Sequence, residues 1–212
     1  MRPRAAGLLY LFIAVLAPFS MLLVPSRITT TAQLFEHAAL YRAGMAVDVV
    51  ISSLEVVLTV LLYGLFEQVS RPLALSAAFS RLAMAVLQGA NVAVAAAALR
   101  TPELAPQVFA LHLDVTLVWQ VFFGLHCALL AVLIWRSGFV PPVLGPLMAV
   151  AAAGYLSDAL GRLLVPGYGD VLGWVVGPTA LIGEVSFMVW LLAQKREPTL
   201  RKKVACPLFC AV

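Results

Sequence analysis

The sequence predicts an all-α, polytopic membrane helix bundle of about six transmembrane helices, and three observations carry that prediction. Of its 212 residues 63% are hydrophobic and 11% charged, with a mean hydropathy of +1.01, whereas about a quarter of the residues of a soluble domain are charged. Nearly the whole chain divides into apolar windows of about 20 residues, the length an α-helix needs to cross a bilayer. The joints between windows are short and rich in Pro, Gly and charge, which leaves no room for a soluble domain.

The first window, 5–25, follows Arg2 and Arg4 as a secretory signal would. It exceeds the roughly 7 to 15 apolar residues of such a signal and lacks an A-x-A cleavage site, so it reads as a retained helix. The further windows are 43–66, 73–99, 107–135, 143–164 and 172–194. Breakers separate them: Pro25 and Ser26, Arg71 and Pro72, Thr101 and Pro102, Pro141 and Pro142, then Pro166, Gly167, Tyr168 and Gly169. Only the first joint, 26–42, is long enough for a short helix on the membrane surface. Residues 1–194 form one transmembrane domain, and 195–212 form a basic cytoplasmic tail.

Lysine and arginine set the direction. With the N-terminus inside, Arg2, Arg4, Arg71, Arg136, Lys195, Arg196, Arg201, Lys202 and Lys203 fall on the inner side, and only Arg27, Arg42 and Arg100 on the outer. Both termini are therefore expected in the cytoplasm. Tyr10, Trp135, Tyr168, Trp174 and Trp190 fall near helix ends, as an interfacial aromatic belt would. The net charge of +4 is a topology signal, since the one dense basic run, Arg201 to Lys203, is too short to track a nucleic acid. The partner implied is the lipid bilayer; protein partners are not specified. Cys127, Cys206 and Cys210 make no disulfide framework or zinc ribbon, and a prenylation box would need cysteine where Phe209 stands.

The informative residues are the charges inside the windows. Asp48, Glu55, Asp114, Asp158 and Glu184 face only Arg81 and Arg162 at membrane depth, and a lone charge there costs about 2.5–3.5 kcal/mol on insertion scales. Several acids must be protonated, hydrated or bound to something, which predicts a polar interior. Asp48, Ser52, Glu55 and Thr59 recur at steps of three or four on one face of the second helix. Arg81, Gln88 and Asn91 share a side of the third, and His112, Thr116, Trp119 and His126 a side of the fourth. One such stripe is interhelical glue; together they predict a central cavity.

Depth places Asp48, His112, Asp114, Asp158 and Arg162 toward the outer side. Glu55, Gln88, Asn91 and Glu184 fall nearer the middle, and Arg81 and His126 toward the cytoplasm. Glu55 and Glu184 are the first candidates for a titrating or solute-binding role, against the plainer reading that Arg81 or Gln88 satisfies them. Asp158 and Arg162, one helical turn apart and ordered as the helix dipole favours, are a candidate structural ion pair. A charge swap should then restore much of the stability lost in either reversal. Gly154 and Gly161, with Ala151, let that face approach a neighbouring helix closely.

Catalytic chemistry finds less support. Asp48, His112, Asp114 and Asp158 are metal-ligating types, but His112 and Asp114, two residues apart, diverge by about 160° on a regular helix. No metal site and no cofactor are predicted, with Asp48, His112 and Asp158 as weak metal candidates. H-E-x-x-H, P-loop and G-x-S-x-G motifs are absent, and Ser52, Ser53 and Ser157 have no histidine at an activating spacing.

The stretches "AAGLLYLFI", "YRAGMAVDVV", "FFGLHCALLAVLIWRSGFVPPVLGPLMAVAAAGYLSDAL", "PGY" and "IGEVSFMVWLL" resemble the bacterial integral membrane family catalogued as a domain of unknown function, number 4386, over residues 5 to 194. The resemblance implies a polytopic protein of the bacterial cytoplasmic membrane. The family pattern includes the positions of Arg42, Gly44, Asp48, Gly124, His126, Arg136, Ser137, Gly138, Asp158 and Glu184. Where it has a basic residue after the first proline of the fourth joint, this chain has Pro142, which argues against a cation there; the tail after Lys195 does not resemble the family. The family supplies no activity to carry over. The favoured function is binding or transport of a small solute or cation through an acid-lined cavity. A membrane partner or regulator whose buried charges only fix packing is the rival, and an intramembrane metal-dependent hydrolase comes third.

Overall fold

A computed structural model describes residues 3–168 and 173–194. Arg2, Gly169 and the tail from Lys195, with Cys206 and Cys210, lie outside the described residues, as does the side chain of Trp174. Seven helices make up the described chain. They are α1 (Pro3–Arg27), α2 (Thr31–Glu36), α3 (Ala38–Phe66), α4 (Arg71–Arg100), α5 (Ala105–Ser137), α6 (Leu144–Leu164) and α7, which runs from Gly173–Ala180 through Leu181–Val185 into Ser186–Ala193. All but α2 include an apolar stretch long enough to cross a membrane. The protein is a multi-pass, all-α membrane bundle.

Local chemistry sets the boundaries. Pro72 stands in the first turn of α4, where its missing N–H costs nothing. Gly138, at φ 68°, caps α5 in the left-handed region that side chains avoid. In the first joint, Thr30 accepts a hydrogen bond from the Gln33 N–H at 3.3 Å, while Gln33 Oε1 accepts from the Thr29 N–H at 3.0 Å. These reciprocal bonds start α2, the short helix of the first joint. Helix α3 begins at Ala38 rather than 43, because nothing between His37 and Arg42 breaks a helix.

Each span packs on the next in chain order, and α7 returns to α1, so the six close a ring. Arg4 Nε donates to the Leu192 carbonyl at 3.3 Å. Both ends of the described chain therefore meet at one end of the ring, the terminal end; the opposite one is the far end. The polarity is inverted relative to a soluble fold. Phe12, Val15, Phe79 and Leu164 are exposed on the outer wall, whereas Glu55, Arg81, Gln88, Gln120 and His126 are buried, as hydrocarbon outside and helix contacts inside demand.

Two devices shape the ring. Glycines permit close approach: a Cβ on Gly183 of α7 would lie 2.7 Å from the Leu147 carbonyl and 2.8 Å from the Ala151 side chain of α6. Gly154 faces Thr179 and Gly161 faces Tyr168 in the same way. Prolines interrupt the other two walls. Pro18 and Pro178 lack the N–H that a regular helix needs, and each precedes a π turn, at Phe19–Leu23 in α1 and Leu181–Val185 in α7. The second of these turns carries Glu184.

The aromatic belt is only partly as expected. Trp135 is exposed beside Arg136, but Tyr10 is buried inside the ring, and Trp190 stacks on Phe187 with ring centroids 5.8 Å apart. Phe187 in turn meets Phe66 at 6.3 Å, and this aromatic cluster plugs the terminal end.

Candidate functional site

The centre of the ring is organised by Arg81, whose side chain is fully buried. Its Nε donates to Glu55 Oε2 at 2.6 Å, and its Nη1 lies 3.0 Å from both the Tyr10 hydroxyl and His126 Nε2. Guanidinium can only donate, so His126 Nε2 accepts and its Nδ1–H donates to the Ala77 carbonyl at 2.8 Å, which selects the neutral tautomer. The Arg81 Cζ also stands 4.8 Å from the Tyr10 ring centroid and 5.4 Å from that of Phe123, a favourable placement for a cation on aromatic faces. Four helices thus share one charge.

The depth of this network differs from the sequence expectation. Arg81 is ten residues from Arg71, His126 ten from Arg136 and Glu55 eleven from Phe66. At 1.5 Å per residue each stands about 15–16 Å along its helix, halfway through a hydrocarbon core of about 30 Å. Arg81 and His126 therefore lie level with Glu55, not nearer the terminal end.

Above the network lies a cavity of about 290 Å³ to which all six spanning helices contribute. Its walls are mainly apolar, from residues such as Ile13, Ile51, Phe123 and Met188. Glu55, Gln88 and Glu184 supply polar atoms, with Trp119 and Tyr155 between them. Glu184 accepts a hydrogen bond from the Tyr155 hydroxyl at 2.7 Å. Gln88 is buried and lines the wall, yet its Oε1 has no hydrogen-bond partner among the described residues; the same holds for Trp119 Nε1. Residues that carry such unsatisfied atoms and line a cavity are where a ligand with matching polar groups would be held.

A second, smaller cavity of about 80 Å³ lies toward the far end, lined by Tyr41, Asp48, His112 and Ser20 among others. Gln88 Nε2, 3.5 Å from Asp48 Oδ1, stands between the two cavities. Asn91 belongs to this outer group rather than the middle one, since its Nδ2 donates to the His112 carbonyl at 3.0 Å and to Thr116 Oγ1 at 3.1 Å.

Asp114 is not part of either cavity. It is exposed on the outer wall of α5, because two residues from inward-facing His112 the helix has turned most of the way round. It is 22 residues from Arg136, about 33 Å along the helix, which puts it in reach of headgroups, where a carboxylate is tolerated. The weak metal set does not assemble either. Asp158 sits with Gln120 and Arg162, away from Asp48 and His112, and among the described residues no three His, Cys, Asp or Glu side chains converge.

Asp158 Oδ1 accepts from Arg162 Nε at 3.0 Å and its Oδ2 from Gln120 Nε2 at 3.0 Å. The two ends of the pair are unlike: the Asp158 side chain is 6% exposed and that of Arg162 31%. Asp158→Ala removes one of the two bonds of the buried Gln120 amide, which keeps the Tyr155 carbonyl at 3.1 Å, and is expected to cost about 1–3 kcal/mol, while Arg162→Ala should cost about 1 kcal/mol or less. The charge swap is not expected to recover stability, because it would set a buried guanidinium against a donor. Thermal unfolding of the four proteins in detergent checks this order.

Three partners are not marked by the sequence patterns above: Tyr10 falls where a belt residue would, Tyr155 belongs to no stripe, and Gln120 continues the α5 stripe four residues after Thr116. The hydroxyls of Ser52 and Thr59, on the predicted α3 seam, bond instead to the carbonyls of Asp48 and Glu55 in their own helix, at 2.7 and 2.8 Å.

Comparison with known proteins gives a relative and a family. An uncharacterized protein of Archaeoglobus fulgidus is 38% identical over 77 residues, which is 36% of this chain and 44% of that protein's length. No solved structure matches. The model of the family described as Domain of unknown function (DUF4386) matches residues 5–194, all six spanning helices, and the chain belongs to that family.

Proposed function

We propose that this is a small-molecule-binding protein of the plasma membrane, with both ends of the chain in the cytoplasm, whose occupant sits in the central cavity and is either held or moved across. The observation that carries this reading is Gln88, whose side chain lines a cavity shared by all six spans and whose carbonyl oxygen has no hydrogen-bond partner among the described residues. The mainly apolar walls favour an organic solute over a bare cation, which needs a cage of oxygen ligands. The rival reading, in which the buried charges only fix helix packing, draws support from Glu55, whose carboxylate is bound to Arg81 at 2.6 Å. Glu184 and Gln88 are therefore the residues to change first.

Native mass spectrometry of gently extracted protein is the test. A retained molecule is expected in the wild type, and its loss in Gln88→Leu and Glu184→Gln with unfolding temperatures intact would support the binding site. A bare wild-type protein, while a known membrane binder keeps its ligand under the same conditions, would favour the packing reading. Orientation is tested separately by membrane-impermeant labelling of single cysteines placed in the α4–α5 joint and the first joint, which should both react from outside the cell.

A further inference from the structure

On the reading that the central cavity is a binding site, we propose that its occupant is an amphiphile. It has one apolar chain and a small head that donates hydrogen bonds, a hydroxyl or an ammonium, and it enters sideways from the hydrocarbon between α1 and α7.

The route follows from the wall. Met21 and Leu22 of α1 and Leu181 of α7 line the cavity, yet they are 42%, 67% and 64% exposed. A side chain does both only at an opening. Helices α1 and α7 pack on each other through Pro3–Pro18 and Ser186–Ala193, at the terminal end. Past that contact each passes into its π turn, where an extra residue per turn breaks the ridge that the pair would share. Leu22 is five residues from the end of α1 at Arg27, about 7 Å along the helix, so the opening lies within the spanning part of α1, near its far end.

Among the described residues apolar clusters stand toward both ends of the ring, the far one around the second, smaller cavity. Phe66, Phe187 and Leu191 fill the terminal end, and Val24, Ile28, Leu34 and Tyr41 form a second apolar cluster at the far end.

The head chemistry follows from the back wall. In the ring the α1–α7 seam lies opposite α4 and α5, which present Gln88 and Trp119. Gln88 Oε1 accepts hydrogen bonds, as do the carboxylates of Glu55 and Glu184, while Trp119 Nε1 and Arg81 Nη2, donors without a partner among the described residues, suit a hydroxyl oxygen that also accepts. Two carboxylates against one guanidinium disfavour a carboxylate or phosphate head. A cavity of about 290 Å³ takes the head and the first part of a chain, and the remainder passes out through the opening.

The test uses the full chain in nanodiscs with dodecanol, dodecylamine, dodecanoate and butylamine as probes. Native mass spectrometry should show dodecanol and dodecylamine retained, and dodecanoate and butylamine not. Gln88→Leu should weaken dodecanol by about tenfold, the loss of one hydrogen bond. Quenching of Trp119 by 2-bromododecan-1-ol, whose bromine lies beside the head, taken as the difference from Trp119→Phe, reads the entry rate. Leu22→Phe with Leu181→Phe should slow entry and release alike, and Leu22→Ala with Leu181→Ala should raise both, so either pair suffices should the other fail to fold.

Dodecanoate bound as well as dodecanol would overturn the head assignment. Dodecanol bound at a rate indifferent to residues 22 and 181 would overturn lateral entry and leave the cavity standing. A water-soluble molecule co-purifying in a Gln88-dependent way, with no alkyl probe bound, would overturn the amphiphile alone. No probe bound and no resident molecule would remove both this inference and the binding reading.

Discussion

Arg81→Ala is expected to cost about 3–5 kcal/mol of bundle stability, the loss seen when one partner of a buried ion pair is removed. The single change removes the Nε bond to Glu55 and the Nη1 bonds to Tyr10 and His126 together. It leaves the Glu55 carboxylate at mid-membrane, 4% exposed, without its countercharge. Removing both charges is a different matter. Arg81→Met with Glu55→Leu keeps the volume and leaves no charge in this network, and such replacements are often neutral or stabilising. The double variant should therefore recover the part of the loss due to the stranded carboxylate, while the Tyr10 hydroxyl and His126 Nε2 stay without Arg81. Reversible unfolding in mixed micelles, followed by circular dichroism, measures all three proteins. A loss below about 1 kcal/mol in Arg81→Ala, the worth of a surface pair, would mean that the network does not hold the centre together.

Gly183→Val is expected to be the next most damaging change, at about 2–3 kcal/mol, the upper part of the range for overpacking. The groups that a new side chain would meet, the Leu147 carbonyl and the Ala151 Cβ, are backbone or fixed to it. Helix α7 must move off α6. Because Glu184 is the next residue, the same movement should draw it away from Tyr155, so ligand retention should fall along with stability. At Gly177, where a Cβ meets nothing within 4 Å, substitution to alanine should leave stability unchanged, which makes it the control in the same unfolding measurement.

The helices could be located from sequence because the bilayer imposes one length and one composition on each of them. Window edges such as 66 and 164 coincide with the ends of α3 and α6, and the family resemblance over 5–194 is the family found. The stripes on α3, α4 and α5 also marked the residues that turn inward, since a 3.6-residue period is a property of one helix alone. Which stripes meet is a property of pairs of helices. That Arg81 reaches Tyr10 of α1 and that Tyr155 reaches Glu184 depends on the ring closing in chain order, which periodicity does not encode. Asp114 shows the opposite error, an acid inside an apolar window but on the wrong face and close to headgroups. Pro18 and Pro178 stood in plain view, yet a proline inside a long apolar window does not say whether the helix will stop, kink or take in an extra residue.

Closure in chain order has a consequence for how the molecule is made. Five of the six seams of the ring join helices that are consecutive spans, so as each span emerges its partner is already in place and contacts form over short stretches of chain. The sixth, α7 against α1, joins the two most distant segments and can form only once everything between them has been synthesised. Contacts of that separation are formed late and slowly. Until then the ring is an open horseshoe, with Arg81 and Glu55 already joined and the chamber beside them open to the lipid along one whole side. Assembly ends with α7 arriving to shut it from the terminal end upward.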